Sequence, residues 1–238
     1  MALPISPESW ILYVGTAKMR IYLLCLALFL TGFPVIAQNN QDALWNYNTG
    51  RNLENLNRMD EAEYFYNEAV WLSRQEIFSN MANRNSYVAL TWALQRLRRY
   101  AEVITWGERG LDLYADEYRL VETMGEAYFY LDNHDASLRF MQRYTNSVPR
   151  GERAPVAYFF IGEIYRFKGH FRHADIAYTT AVRLEPNVDL WWYRLGSVRE
   201  AVGDYSQAIT AYERALAINP DYAAASNGLT RSRLNAGL

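Results

Sequence analysis

Residues 155–188, PVAYFFIGEIYRFKGHFRHADIAYTTAVRLEPNV, and residues 189–222, DLWWYRLGSVREAVGDYSQAITAYERALAINPDY, lie end to end and align without a gap. Gly162 and Gly196 are 34 positions apart, as are Ala174 and Ala208, Tyr178 and Tyr212, Ala181 and Ala215, and Pro186 and Pro220. A fixed period of this size marks stacked supersecondary units, each too small to bury its own apolar face. Each unit reads as two helices. The first spans about 156–168 and stops at Gly169, with its counterpart stopping at Gly203. Glycine there suits the left-handed residue that closes a helix. The second spans about 173–184 and ends before Pro186, since the residue preceding a proline is pushed out of the helical region.

Outward from this pair the same rhythm weakens. Residues 118–151 supply Val121, Met124, Gly125, Tyr128 and Pro149, with Asp132 at the helix stop. Ser137, Met141 and Tyr144 depart from the pattern, and three extra residues precede the next unit. Residues 84–117 supply Tyr87, Leu90, Thr91, Tyr100 and Gly110, with Val103 in place of Ala. Residues 43–76 supply Gly50, Leu53, Ala62, Tyr66 and Ala69, with Asn57 at the helix stop and seven residues, 77–83, inserted afterwards.

The two strong copies resemble the tetratricopeptide repeat family. Its signature is aromatic-x2-Leu-Gly-x2-Tyr, then Ala-x3-aromatic, then Pro. Tyr158, Ile161, Gly162, Tyr165, Ala174, Tyr178 and Pro186 match it, and so do Trp192, Leu195, Gly196, Ala208, Tyr212 and Pro220, with Arg199 where Tyr is usual. The resemblance implies an all-α fold: a right-handed α-solenoid of about five helix-turn-helix repeats over 38–222, capped by a C-terminal helix in 223–238. Physically, glycine on a first helix admits an aromatic from the second. Small residues such as Ala69, Gly110, Ala181 and Ala215 let the following unit nest.

Composition narrows the function. The 238 residues carry a net charge of −2, are 50% hydrophobic and 21% charged, and include 19 tyrosines. That is a folded chain rather than a disordered one. It offers no clustered basic charge for nucleic acid. The single cysteine, Cys25, excludes an intramolecular disulfide and a cysteine zinc site. It lies in an apolar run, 21–30, that follows Lys18-Met19-Arg20 and precedes Gly32, Pro34 and the small-residue end Val35-Ile36-Ala37. This reads as a secretory signal cut after Ala37, with Met19 a natural start. An uncleaved anchor is the alternative, although the run is shorter than the roughly 20 residues that span a bilayer. The expected location is the periplasm or cell envelope, or outside the cell.

No residue pattern points to catalysis or to a cofactor. His170 and His173 have the i, i+3 spacing of metal ligands, but they flank a turn and lack a third partner. In the tetratricopeptide arrangement, first helices line a concave groove. Its register implies a lining of Tyr47, Arg51 and Glu54, then Val88, Trp92 and Gln95, then Arg119, Glu122, Glu126 and Phe129, then Phe159, Glu163 and Arg166, then Tyr193, Ser197 and Glu200. Aromatic side chains interleaved with Arg and Glu suit a partner peptide or helix. The Lys, Asn and Arg set with which some family members hold a C-terminal carboxylate is not reproduced. The expected role is a non-catalytic scaffold or adaptor in the bacterial envelope. The alternative is a ligand-binding accessory of a solute transport system.

Overall fold

The computed structural model describes residues 42–238, so the leader and its cleavage point lie outside the described residues. Those residues form eleven helices and no strand: α1 (Ala43–Asn55), α2 (Met59–Phe78), α3 (Arg84–Arg96), α4 (Tyr100–Leu113), α5 (Tyr118–Tyr130), α6 (His134–Ser147), α7 (Ala154–Phe167), α8 (Phe171–Leu184), α9 (Asp189–Ala201), α10 (Tyr205–Ile218) and α11 (Ala223–Asn235). They make an all-α helical solenoid. Consecutive helices pair as hairpins, and α11 packs on both α9 and α10. First helices also meet sideways, α1 with α3, α3 with α5 and α5 with α7. Helices α7 and α8 each begin two residues earlier than the sequence pattern suggests.

The turn inside each hairpin rests on one left-handed residue. Gly169 (φ 73°) and Gly203 (φ 80°) fill that place in the two regular units, and Asn57 (58°) and Asp132 (57°) fill it in the first and third. All three residue types tolerate this region. Arg98 holds it in the second unit with φ 56°, which an arginine adopts only under strain.

Packing follows a small-against-large rule across each hairpin. A Cβ on Gly162 would sit 2.5 Å from the Tyr178 ring, one on Gly50 2.7 Å from Tyr66, and one on Gly196 2.8 Å from Tyr212. The irregular units keep the total volume and change the partners. Gly125 faces Met141, while in the second unit Thr91 takes the glycine place and Gly107 the aromatic place, where Met124 fills the gap. Volume-conserving exchanges of this kind are the ones a core accepts. Ser137, at an alanine position, stays buried because its hydroxyl donates to the Gly125 carbonyl at 2.7 Å.

The ring hydroxyls give a second regularity. Tyr66 donates to Glu54 at 2.5 Å, Tyr212 to Glu200 at 2.7 Å, and Tyr178 to Glu163. Each tyrosine thus reaches from the second helix of its hairpin to a carboxylate on the first. Arg166 and Arg194 also hold Glu163, at 2.9 and 3.0 Å. Tyr178→Phe therefore removes one of three partners, and it is expected to lower stability by about 1–2 kcal/mol. A shift in the urea midpoint measures this, and an unchanged midpoint would show that the two arginines suffice.

Candidate recognition cleft

Helix α3 is covered on most sides. From Ser86 to Leu94 every residue except Trp92 is buried. Val88, expected in the groove, is fully buried in the core, because α1, α4 and α5 all pack on this helix. Trp92 escapes and forms one wall of a cleft of about 600 Å³. Its ring lies 5.1 Å from that of Tyr47, and the Arg119 guanidinium sits 5.8 Å above it.

Eight of the expected groove residues line this cleft together: Tyr47, Arg51, Glu54, Trp92, Gln95, Arg119, Glu122 and Glu126. Glu54 is held by Arg96 at 3.4 Å. Tyr100 and Tyr130 add a stacked pair, 4.8 Å apart and 14° from parallel. Neither was visible as a groove residue in the repeat register.

The other wall comes from the α6–α7 connection. Tyr144 stands where the regular units carry a small alanine, and it is buried. A ring there occupies the space into which the next unit would nest, and the connection detours by three residues. The Arg153 N–H reaches the Tyr144 hydroxyl at 3.3 Å. The Arg153 guanidinium then spans two carboxylates one turn apart on α5: Glu122 at 3.0 Å and Glu126. Gln95 donates to Glu126 from α3. Arg153 was missed in the sequence because it sits in the extra residues, outside the repeat register. The break in the period was the available signal.

Electrostatics follow from this crowding. Glu122 is 3% exposed. Burial and the neighbouring Glu126 push its carboxyl well above the ordinary range, against the pull of Arg153. Burial works against the Arg153 charge, but the two carboxylates outweigh it and raise its pKa further. Behind the cleft-lining Arg119, burial would lift Glu117, yet bidentate bonds from Arg119, both 2.8 Å, hold its carboxyl below the usual value. Glu122 and Glu126 are thus internal ties of the wall.

The remaining expected residues do not reach the cleft. Phe129 packs edge-on against Phe160 at 4.9 Å. Phe159 stacks on Trp191 at 5.3 Å and 16°. Glu163 is enclosed by Tyr178, Arg166 and Arg194, and Arg166 is spent on it. Tyr193 packs between Tyr212 and Tyr222. Glu200 is bonded by Tyr212 and Arg231, and Ser197 is half-buried away from the cleft. In the second half of the chain, the groove residues therefore satisfy one another. His170 and His173 are exposed with ring centroids 5.9 Å apart. Among the described residues, no group of three His, Cys, Asp or Glu could hold a metal, and no helix is long and apolar enough to cross a membrane.

Residues 155–188 and 190–222 each match a model of the tetratricopeptide repeat. Human protein O-mannosyl-transferase TMTC1 is 28% identical over 178 residues, which are 74% of this chain and 18% of that protein. The chain thus spans less than a fifth of that relative's length. Among solved structures, MamA superposes with a TM-score of 0.59 at 17% identity, covering 65% of this chain and 83% of MamA. YrrB, described as a TPR protein with an unusual peptide-binding site, superposes at 0.54 with 19% identity, covering 82% of this chain and 95% of YrrB.

Proposed function

The chain belongs to the tetratricopeptide repeat family, and from that premise we propose that it is a non-catalytic scaffold holding an extended partner peptide or helix in the cleft between α1, α3, α5 and the α6–α7 connection. The observation that carries this is Trp92, the one aromatic ring of α3 left unburied, which stands in the cleft beside the buried Tyr47. Aromatic and arginine anchors supply most of the energy of protein recognition. The peptide-binding site ascribed to YrrB supports the same use of the fold. The cell envelope is the proposed location, on the basic, apolar and small-residue pattern of 18–37.

Cross-linking tests the cleft directly. A photoreactive phenylalanine at position 92 is expected to give a covalent adduct with a partner protein in envelope extracts. The same group in place of the exposed Ile176, outside the cleft, should give none. Adducts only at 176, or equally at both, would refute the cleft. An adduct with a small molecule would instead favour the transport-accessory reading. Trp92→Ala is expected to abolish the interaction while lowering stability by only about 1–2 kcal/mol, the range for a half-buried contact. Binding and urea unfolding of the variant measure the two effects, and a larger stability loss would place Trp92 in the core.

A further inference from the structure

We infer that Arg51 and Arg98 form an anion-recognition pair on the rim of the cleft, so that the peptide it takes carries an acidic side chain there. This rests on the cleft being the binding site. Five arginines line it. Arg96 is held by Glu54, Arg119 by Glu117, and Arg153 by Glu122 and Glu126. Among the described residues, Arg51 and Arg98 alone of the five have no carboxylate partner.

Two independent features set this pair apart. Arg51 occupies the place of the first unit at which the third and fourth units carry Glu126 and Glu163, so the sign of the wall is reversed there. Arg98 stands at a left-handed turn position with φ 56°, where the other hairpins use Asn, Asp and Gly. The strain is about 1 kcal/mol or more, and no ion pair among the described residues offsets it. Strain of this kind persists at sites where the side chain has a use.

Both arginines line the same cleft, each beside tyrosines of its wall. The Arg96–Glu54 bridge at 3.4 Å ties the end of α3 to α1. Arg51 lies one turn before Glu54, and Arg98 two residues after Arg96. The Arg51 charge acts on the Tyr47 phenol, and that of Arg98 on Tyr100 and Tyr130. Across the cleft stands Glu152, which has no ion-pair partner among the described residues. Its charge repels an incoming carboxylate towards the arginine side. Guanidinium forks bind such a group through paired N–H bonds.

Selection of random ten-residue peptides on the immobilised full chain tests this. The peptides are fused at their C-terminus, so only side chains supply carboxylates. The bound pool is expected to be enriched in Asp and Glu at least twofold over the input. Arg51→Gln and Arg98→Asn should each weaken a selected peptide about tenfold, the worth of a charge-assisted bond, and added salt should weaken it too. Arg98→Asn keeps the turn, since Asn57 holds the same conformation in the first unit; a melting temperature no lower than that of the parent chain checks the fold. A neutral or basic pool, or affinity unchanged in both variants, overturns the pair. Peptides that survive both variants but not Trp92→Ala sink the pair and spare the cleft. Peptides that also survive Trp92→Ala sink the cleft itself.

Discussion

Gly162→Leu is expected to destabilise the chain by about 1–3 kcal/mol or more, because the core has no room for the added atoms. Already a Cβ at this position would lie 2.5 Å from Tyr178 Cε1 and 2.6 Å from Cδ1. The ring cannot swing aside. Tyr178 is fully buried, and its hydroxyl is tied to Glu163. Leucine must therefore push α7 away from α8. That separation would also disturb the Phe159–Trp191 stack, which joins this unit to the next. Repeat arrays depend on such nearest-neighbour interfaces, so the loss should spread beyond the one hairpin. Urea unfolding followed by circular dichroism measures it. A midpoint equal to that of the parent chain would show that the hairpin can widen freely, contrary to the packing seen here.

Arg153→Met is expected to lower stability by about 2–3 kcal/mol at neutral pH. Removing one partner of a buried ion pair typically costs more. Here the Arg153 side chain is about half exposed, at 46%, and Glu122 can escape by taking up a proton. The pH dependence has a definite sign. Glu122 has a folded pKa raised above its ordinary 4.5. Between those values the folded state holds more protons than the unfolded one, so stability falls as pH rises through the window. Arg153 opposes that rise, and its loss lifts the folded value further and extends the window upward. The deficit of the variant should therefore be small near pH 4.5 and grow towards pH 7.5. Unfolding at both pH values tests this, and an equal deficit at each would mean that the protonation of Glu122 does not depend on Arg153. The variant should also loosen the connection that walls the cleft, which proteolysis around residues 148–153 would reveal.

The reach of the sequence differs between the scaffold and the cleft. The Gly162/Tyr178 and Gly196/Tyr212 pairs were legible because a helical hairpin brings fixed positions together whatever lies around it. The left-handed residues Asn57, Asp132, Gly169 and Gly203 were legible for the same local reason. Val88 was misplaced because the repeat register says which way a side chain points but not how many helices cover that direction. Phe159, Glu163 and Tyr193 do lie on first helices, yet neighbours consume them: Trp191 of the next unit for Phe159, Tyr178, Arg166 and the next unit's Arg194 for Glu163, and Tyr212 and Tyr222 of its own unit for Tyr193.

The amino-acid order alone thus settled the period, the hairpins and the small-against-large core, since these arise from contacts within one unit and with the next. Only the folded chain decided where the groove stays open. Its far wall depends on Arg153 meeting Glu122 and Glu126, which are 31 and 27 positions away, across a connection that breaks the period. Ion pairs over such separations depend on the path of that irregular segment, and the bulk of Tyr144 sets that path. No repeating pattern encodes it.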